Sequence, residues 1–186
     1  SSSFPLLNHP AFRGLSENGS QQLELGSNPL RFELGQQLCD PDHIPARILV
    51  LLQGQARLVG RHNGRLTRVG KFGPGSVIGA ASLLSGQPCE NVIAADEVIA
   101  CAISDELFRT LYNSEVSFKT WCDQQLWPQE LLKLLEVLEE STADADSSAL
   151  ERLEEALQQA ERCSLDAAGI DAAIESGKTN YTTSAW

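Results

Sequence analysis

The chain has 186 residues, 42% hydrophobic and 21% charged, with a formal net charge of −11. This is an ordinary globular composition, long enough for one domain with a sizeable core and an appendage. The charge is uneven: residues 1–122 carry 10 Lys+Arg against 11 Asp+Glu, and residues 123–186 carry 4 against 14. An acidic C-terminal third repels nucleic acid phosphates, so DNA or RNA binding through it is disfavoured.

In chain order, residues 1–27 form an N-terminal segment. NHPAFRGLSENGSQQLE (8–24) reads as a short helical stretch with Ser16 as a cap. The opening SSSFPLLNHP lacks the basic and apolar parts of a secretory leader. Methionine is absent even at position 1, which reads as a piece of a longer product.

Residues 28–104 read as β. Leu30–Leu34 alternates apolar with polar, and ARILVLLQG follows the loop CDPDHIP. In QARLVGRHNGRLTRVGKF, the Asn63-Gly64 pair between two strand-like runs predicts a type I′ hairpin. Glycines at 54, 60, 70, 73, 75, 79 and 86 punctuate short strands, and VIAADEVIACAIS supplies two strands around Asp96-Glu97. The pattern predicts a mainly β chain with flanking helices, a compact barrel or sandwich.

Residues 105–163 read as helices. Ser104 caps DELFRTLYNS, and EVSFKTWCDQQL offers Val116, Trp121, Cys122 and Leu126 as apolar positions. Pro128 either ends that helix or opens a new one at its first turn. Leucine stripes at 131–138 and 150–157 suggest packing within the chain or a homodimer seam. Residues 164–186 read as a flexible end.

Chemistry is sparse. The five cysteines show no CxxC, which favours reduced thiols and a cytosolic setting, with Cys101 a small core residue. His43 has no HxH partner and His62 lies at a hairpin tip, so a metal enzyme is disfavoured, and no cofactor is called for. Cys89 has no histidine nearby in sequence to serve a nucleophile. Arg57, Arg61, Arg65, Arg68 and Lys71 make the hairpin basic, either a solvated edge or a stripe for a phosphate, a lipid headgroup or the chain's own acidic C-terminal third.

Residues 73–91, GPGSVIGAASLLSGQPCEN, start like a phosphate-binding loop. Together with ILVLLQGQARLV and the RHNGR hairpin, they make residues 8–140 resemble the cyclic nucleotide-binding domain family. The resemblance implies a jelly-roll-like β-roll (a double-stranded β-helix) between a short N-terminal helix and C-terminal helices. In that family, backbone N–H groups and an Arg hold the cyclic phosphate. A Glu accepts the ribose hydroxyl, and a following helix closes over the base.

Here Ala80 stands where that Glu is expected and Cys89 where the Arg is expected. Glu90 and Asn91 replace the usual small pair. A phosphate in a poorly hydrated pocket needs a cation, which a neutral thiol cannot supply, and Glu90 repels it. The expected pocket, Gly79, Ala80, Ala81, Ser82, Cys89, Glu90 and Asn91, is therefore a degenerate cassette, with cAMP and cGMP poor ligands. Glu90 is a candidate to fill the anion position itself. The alternative is a true small-molecule sensor, of a cyclic nucleotide or of another ligand such as a neutral or cationic molecule.

HPAFRGL, RHNGRLTRVGKFGPGS and SFKTWCDQQLWPQELLKLLEVLEE together resemble the N-terminal region of cyanobacterial ABC exporters of peptides and toxins. That resemblance implies a non-catalytic regulatory or docking module at the cytoplasmic face of a membrane. Its partners would be other domains of the exporter or another protein.

Overall fold

The structure is a computed structural model that describes residues 5–62, 65–130 and 132. A 3-10 turn at Pro5–Asn8 precedes α1 (Glu17–Gly26). The strands are β1 (Ser27–Phe32), β2 (Gln37–Cys39), β3 (Arg47–Gln53), β4 (Ala56–His62), β5 (Arg65–Phe72) and β6 (Val77–Ile78). Helix α2 (Ala80–Ser85) separates them from β7 (Val92–Ala94) and β8 (Val98–Ser104). Then come α3 (Asp105–Ser114) and α4 (Val116–Gln124), and residues 128–130 and 132 are helical again.

The strands form two antiparallel four-stranded sheets, ordered β1-β8-β3-β6 and β2-β7-β4-β5. One core lies between them, built from Phe32, Leu49, Leu51, Ala100 and Ile78 of the first and Leu38, Leu58 and Val92 of the second. A second core packs the outer face of the first sheet on the helices. It joins Ile48, Val50, Cys101 and Ile103 to Leu23, Phe108, Leu111 and Phe118. β3 therefore buries both faces, which explains why Ile48–Leu51 reads as an unbroken apolar run. Each such side chain contributes about 1.5–3 kcal/mol by leaving water.

Local chemistry sets the element starts. Ser16 Oγ accepts the Gly19 N–H at 3.1 Å and Ser104 Oγ accepts the Leu107 N–H at 3.1 Å, so both expected caps form. The Glu115 carboxylate, between α3 and α4, accepts both the Ser16 N–H (3.0 Å) and the Ser16 hydroxyl (2.5 Å), tying α1 to that junction. Rings continue the join: Phe12 stacks on Phe118 at 5.4 Å, and Trp121 meets His9 at 5.6 Å and Trp127 at 5.9 Å. Gly54 sits at φ +85°, and a Cβ there would lie 2.1 Å from the Glu97 carbonyl oxygen, so only glycine fits this turn.

Several expectations change. Of the helical stretch expected over 8–24, the α-helix occupies the part after the Ser16 cap, from Glu17. β1 ends at Phe32, so Leu34 is not a strand residue and is 68% exposed. Val116 is not an apolar contact but 80% exposed, because it begins α4 and the buried stripe is Phe118 and Cys122. The two strands expected around Asp96-Glu97 do form, as β7 and β8, and they belong to different sheets. Pro128 opens a new helical turn. His62 pairs with Arg65, which leaves two residues for the hairpin turn; Asn63 and Gly64 themselves lie outside the described residues. So do the leucine stripes at 131–138 and 150–157 and the end at 164–186, apart from Leu132.

Among the described residues no helix is long and apolar enough to cross a membrane.

Candidate ligand cassette

The cassette runs from β6 through α2 to β7. Its entry is Gly79 at φ +95°, where a Cβ would sit 2.8 Å from the Arg47 carbonyl oxygen. This left-handed residue aims its own N–H and the first free amides of α2 into the interior. Gly86, at φ +67°, ends the helix. The chain then returns through Gln87–Asn91, which brings Glu90 back over the start of α2.

Glu90 is fully buried. Its Oε1 accepts the Gly79 N–H at 2.8 Å and a Gln129 Nε2–H at 2.9 Å. Its Oε2 accepts the Ser82 N–H at 3.1 Å and the Ser82 hydroxyl at 2.7 Å. All of these groups donate, the set an ionised carboxylate completes. Burial pushes the Glu90 carboxyl above its ordinary value, and the Gly79, Ser82 and Gln129 donors pull against that shift. No lysine or arginine is paired with Glu90 among the described residues.

The remaining expected pocket residues separate. Ala80 and Ala81 are buried in the core shared with the helices, and neither side chain can accept a hydrogen bond. Cys89 is half-buried, and its N–H donates to Ser82 Oγ at 3.3 Å. Burial, followed by the Glu90 charge, pushes the Cys89 thiol up to about 12, so it is neutral. Asn91 turns to β2 instead, where its Oδ1 accepts from Gln37 Nε2 at 3.2 Å. Gly79, Ser82 and Glu90 thus converge, Cys89 flanks them, and Ala80, Ala81 and Asn91 serve the fold.

Gln129 is the site residue that sequence reasoning missed. It lies 39 positions from Glu90, and only the helix-opening Pro128 beside it carried any signal. Its Oε1 is buried with no hydrogen-bond partner among the described residues. Nearby, a cleft of about 160 Å³ is lined by Phe72, Val77, Trp121, Trp127 and Gln129; small-molecule sites usually span roughly 300–1,000 Å³.

Other chemistry is thin. Among the described residues no cluster of His, Cys, Asp and Glu is placed to hold a metal. His43 pairs with Asp40 at 2.8 Å on the surface, and His9 sits against the Gly75 carbonyl oxygen at 2.7 Å. On the basic hairpin, Arg57 lies opposite Lys71 in register, both exposed.

Residues 29–115 match the family model of the cyclic nucleotide-binding domain. No curated protein matches the chain. Among solved structures it is similar to a mutant regulatory subunit of a cAMP-independent protein kinase A from Trypanosoma brucei, bound to cAMP in its A site. That match has 22% identity and a TM-score of 0.60 over 71% of this chain and 48% of that one. The Trypanosoma cruzi counterpart, bound to guanosine, matches with 20% identity and a TM-score of 0.58 over 74% of this chain and 48% of that one. A cyclic nucleotide-binding-like protein from Brucella abortus matches with 18% identity and a TM-score of 0.50, over 59% and 95%. The chain thus spans about half the length of the kinase subunits, and at these identities the likeness is one of fold. The family match and the β-roll agree: residues 29–115 resemble the cyclic nucleotide-binding domain in sequence pattern and share its fold.

Proposed function

We propose that this chain is a non-catalytic regulatory or docking domain whose anion cradle is filled by its own Glu90, so that it does not take up cAMP or cGMP. One observation carries the reading. The backbone N–H groups of Gly79 and Ser82, which start the cassette helix, are already spent on a buried carboxylate. A cyclic phosphate entering there must displace Glu90 and then meet that charge with no cation opposite. At an effective dielectric of about 20, two like charges ~4 Å apart repel by about 4 kcal/mol. The Trypanosoma brucei subunit offers a parallel. It is described as cAMP-independent, and the cAMP-bound form carries three substitutions, two of them at neighbouring positions and introducing Arg and Ala. Arg and a small residue are what Cys89 and Glu90 replace here.

The likeness of HPAFRGL and SFKTWCDQQLWPQELLKLLEVLEE to exporter N-terminal regions supports a place beside other domains of a membrane exporter, at its cytoplasmic face. The signal would then come from a protein partner, or from a second copy through the leucine stripes that the sequence carries beyond 130. Titration calorimetry of the chain with cAMP and cGMP tests the reading. It predicts no binding heat up to millimolar nucleotide, and saturable binding would sink it in favour of a true nucleotide sensor.

A further inference from the structure

The fourth donor to Glu90 comes from outside the cassette. Gln129 lies just beyond Pro128, in the turn that follows α4, and is fully buried. Among the described residues, the donation from its Nε2 to Glu90 is the polar tie of that amide, and its Oε1 has no partner. On one side of it, Trp127 packs edge-on against Trp121 in the helical core. On the other, Leu132 joins the apolar core between the two sheets, the core that also holds Cys39. Glu130 lies close enough to Cys89 for its charge to act on that thiol. Trp127 and Leu132 therefore tie the chain after α4 to the two cores, and the polar contact between them, made by Gln129, is to the same carboxylate that fills the cradle.

We propose that Glu90 and Gln129 form a latch that couples the cassette to the segment after α4. While the carboxylate occupies the cradle, the segment is held shut over Cys39 and Cys89 without any small ligand. A partner that draws the segment away must break the Gln129 contact and leave Glu90 with its cassette donors alone. The reverse follows by linkage: whatever moves Glu90 loosens the segment. This inference rests on the reading of Glu90 as the occupant of the cradle.

The test uses the full 186-residue chain without nucleotide. Site-resolved alkylation of Cys39 and Cys89 is measured together with amide exchange of peptides over 125–132 and over β3–β4. Gln129→Ala is expected to raise both alkylation rates and the exchange rate of 125–132 at least tenfold, with β3–β4 unchanged. Gln129→Glu, which sets a second carboxylate against Glu90, is expected to open the segment further. Glu90→Ala is expected to open it as well, and adding Gln129→Ala to Glu90→Ala is expected to change the rates less than twofold. Rates within twofold of the parent in both Gln129 variants overturn the latch, as do single effects that multiply in the double variant. Should Glu90→Ala not fold, the two Gln129 variants decide alone. Because no nucleotide is present, a failed latch is distinct from nucleotide binding by the parent chain, which would overturn the filled-cradle reading instead.

Discussion

Ser82 gives both its backbone N–H and its hydroxyl to one oxygen of Glu90, at 3.1 Å and 2.7 Å, while its Oγ accepts the Cys89 N–H at 3.3 Å. One small side chain thus ties the first turn of α2 to the loop that returns over it ahead of β7. Alanine at position 82 keeps the helix and removes every bond of the hydroxyl, to the Glu90 carboxylate, the Cys89 N–H and the Cys89 thiol. Ser82→Ala should lower unfolding stability by about 1–3 kcal/mol, seen as a shifted urea midpoint with an unchanged slope.

The Glu90 carboxyl should leave a pH signature. Burial raises its folded value above the ordinary 4.5. A raised folded value means that the native state holds the proton more tightly than the unfolded chain. The stability it contributes is therefore fully present below about 4.5 and is lost as pH rises through the folded value. Glutamine cannot titrate, so the stability of the parent minus that of Glu90→Gln isolates this group. That difference should fall between pH 4.5 and 7 in parallel urea titrations; a rise would mean that the four donors outweigh burial.

Gly79→Ala should disrupt the cassette. The backbone at φ +95° is left-handed, and the new Cβ would lie 2.8 Å from the Arg47 carbonyl oxygen. Strain of this kind costs about 1–3 kcal/mol. The loss should appear in thermal unfolding as a drop of several degrees, whereas Gly86→Ala, with nothing within 4 Å of its Cβ, should cost less.

Burial pushes the thiols of Cys89 and Cys122 up to about 12 and raises those of Cys39 and Cys101 as well. At pH 8 these four should react with an alkylating reagent far more slowly in the folded chain than in urea, as read by mass spectrometry of the modified peptides. Prompt native-state labelling of Cys89 would revive the reactive-cysteine reading.

The β-roll was legible because its signals are local. Alternation marked β1, the apolar run Ile48–Leu51 marked a strand buried on both faces, and glycines marked the turns. Ser16 and Ser104 were legible for the same reason, since a cap bonds an amide three residues on. Leu34 and Val116 misled because apolar character alone does not say where an element stops. The three-residue β2 is too short to show a period. In the cassette, matching Cys89 and Glu90 to the family pattern exposed the missing cation and the extra charge. Gln129 stayed hidden because its contact is made by the tertiary fold and leaves no spacing to read.

The most direct measurement is calorimetry with cAMP on two chains side by side, the parent and the Cys89→Arg/Glu90→Ala variant. The variant restores a cation and empties the cradle, leaving the Gly79 and Ser82 amides for the phosphate. A ligand at 100 times its Kd adds about 2.7 kcal/mol to stability, so thermal unfolding gives an independent check at the same concentrations. The account predicts no binding to the parent and saturable binding to the variant. Low-micromolar cAMP binding by the parent, with Glu90 in place, would contradict it.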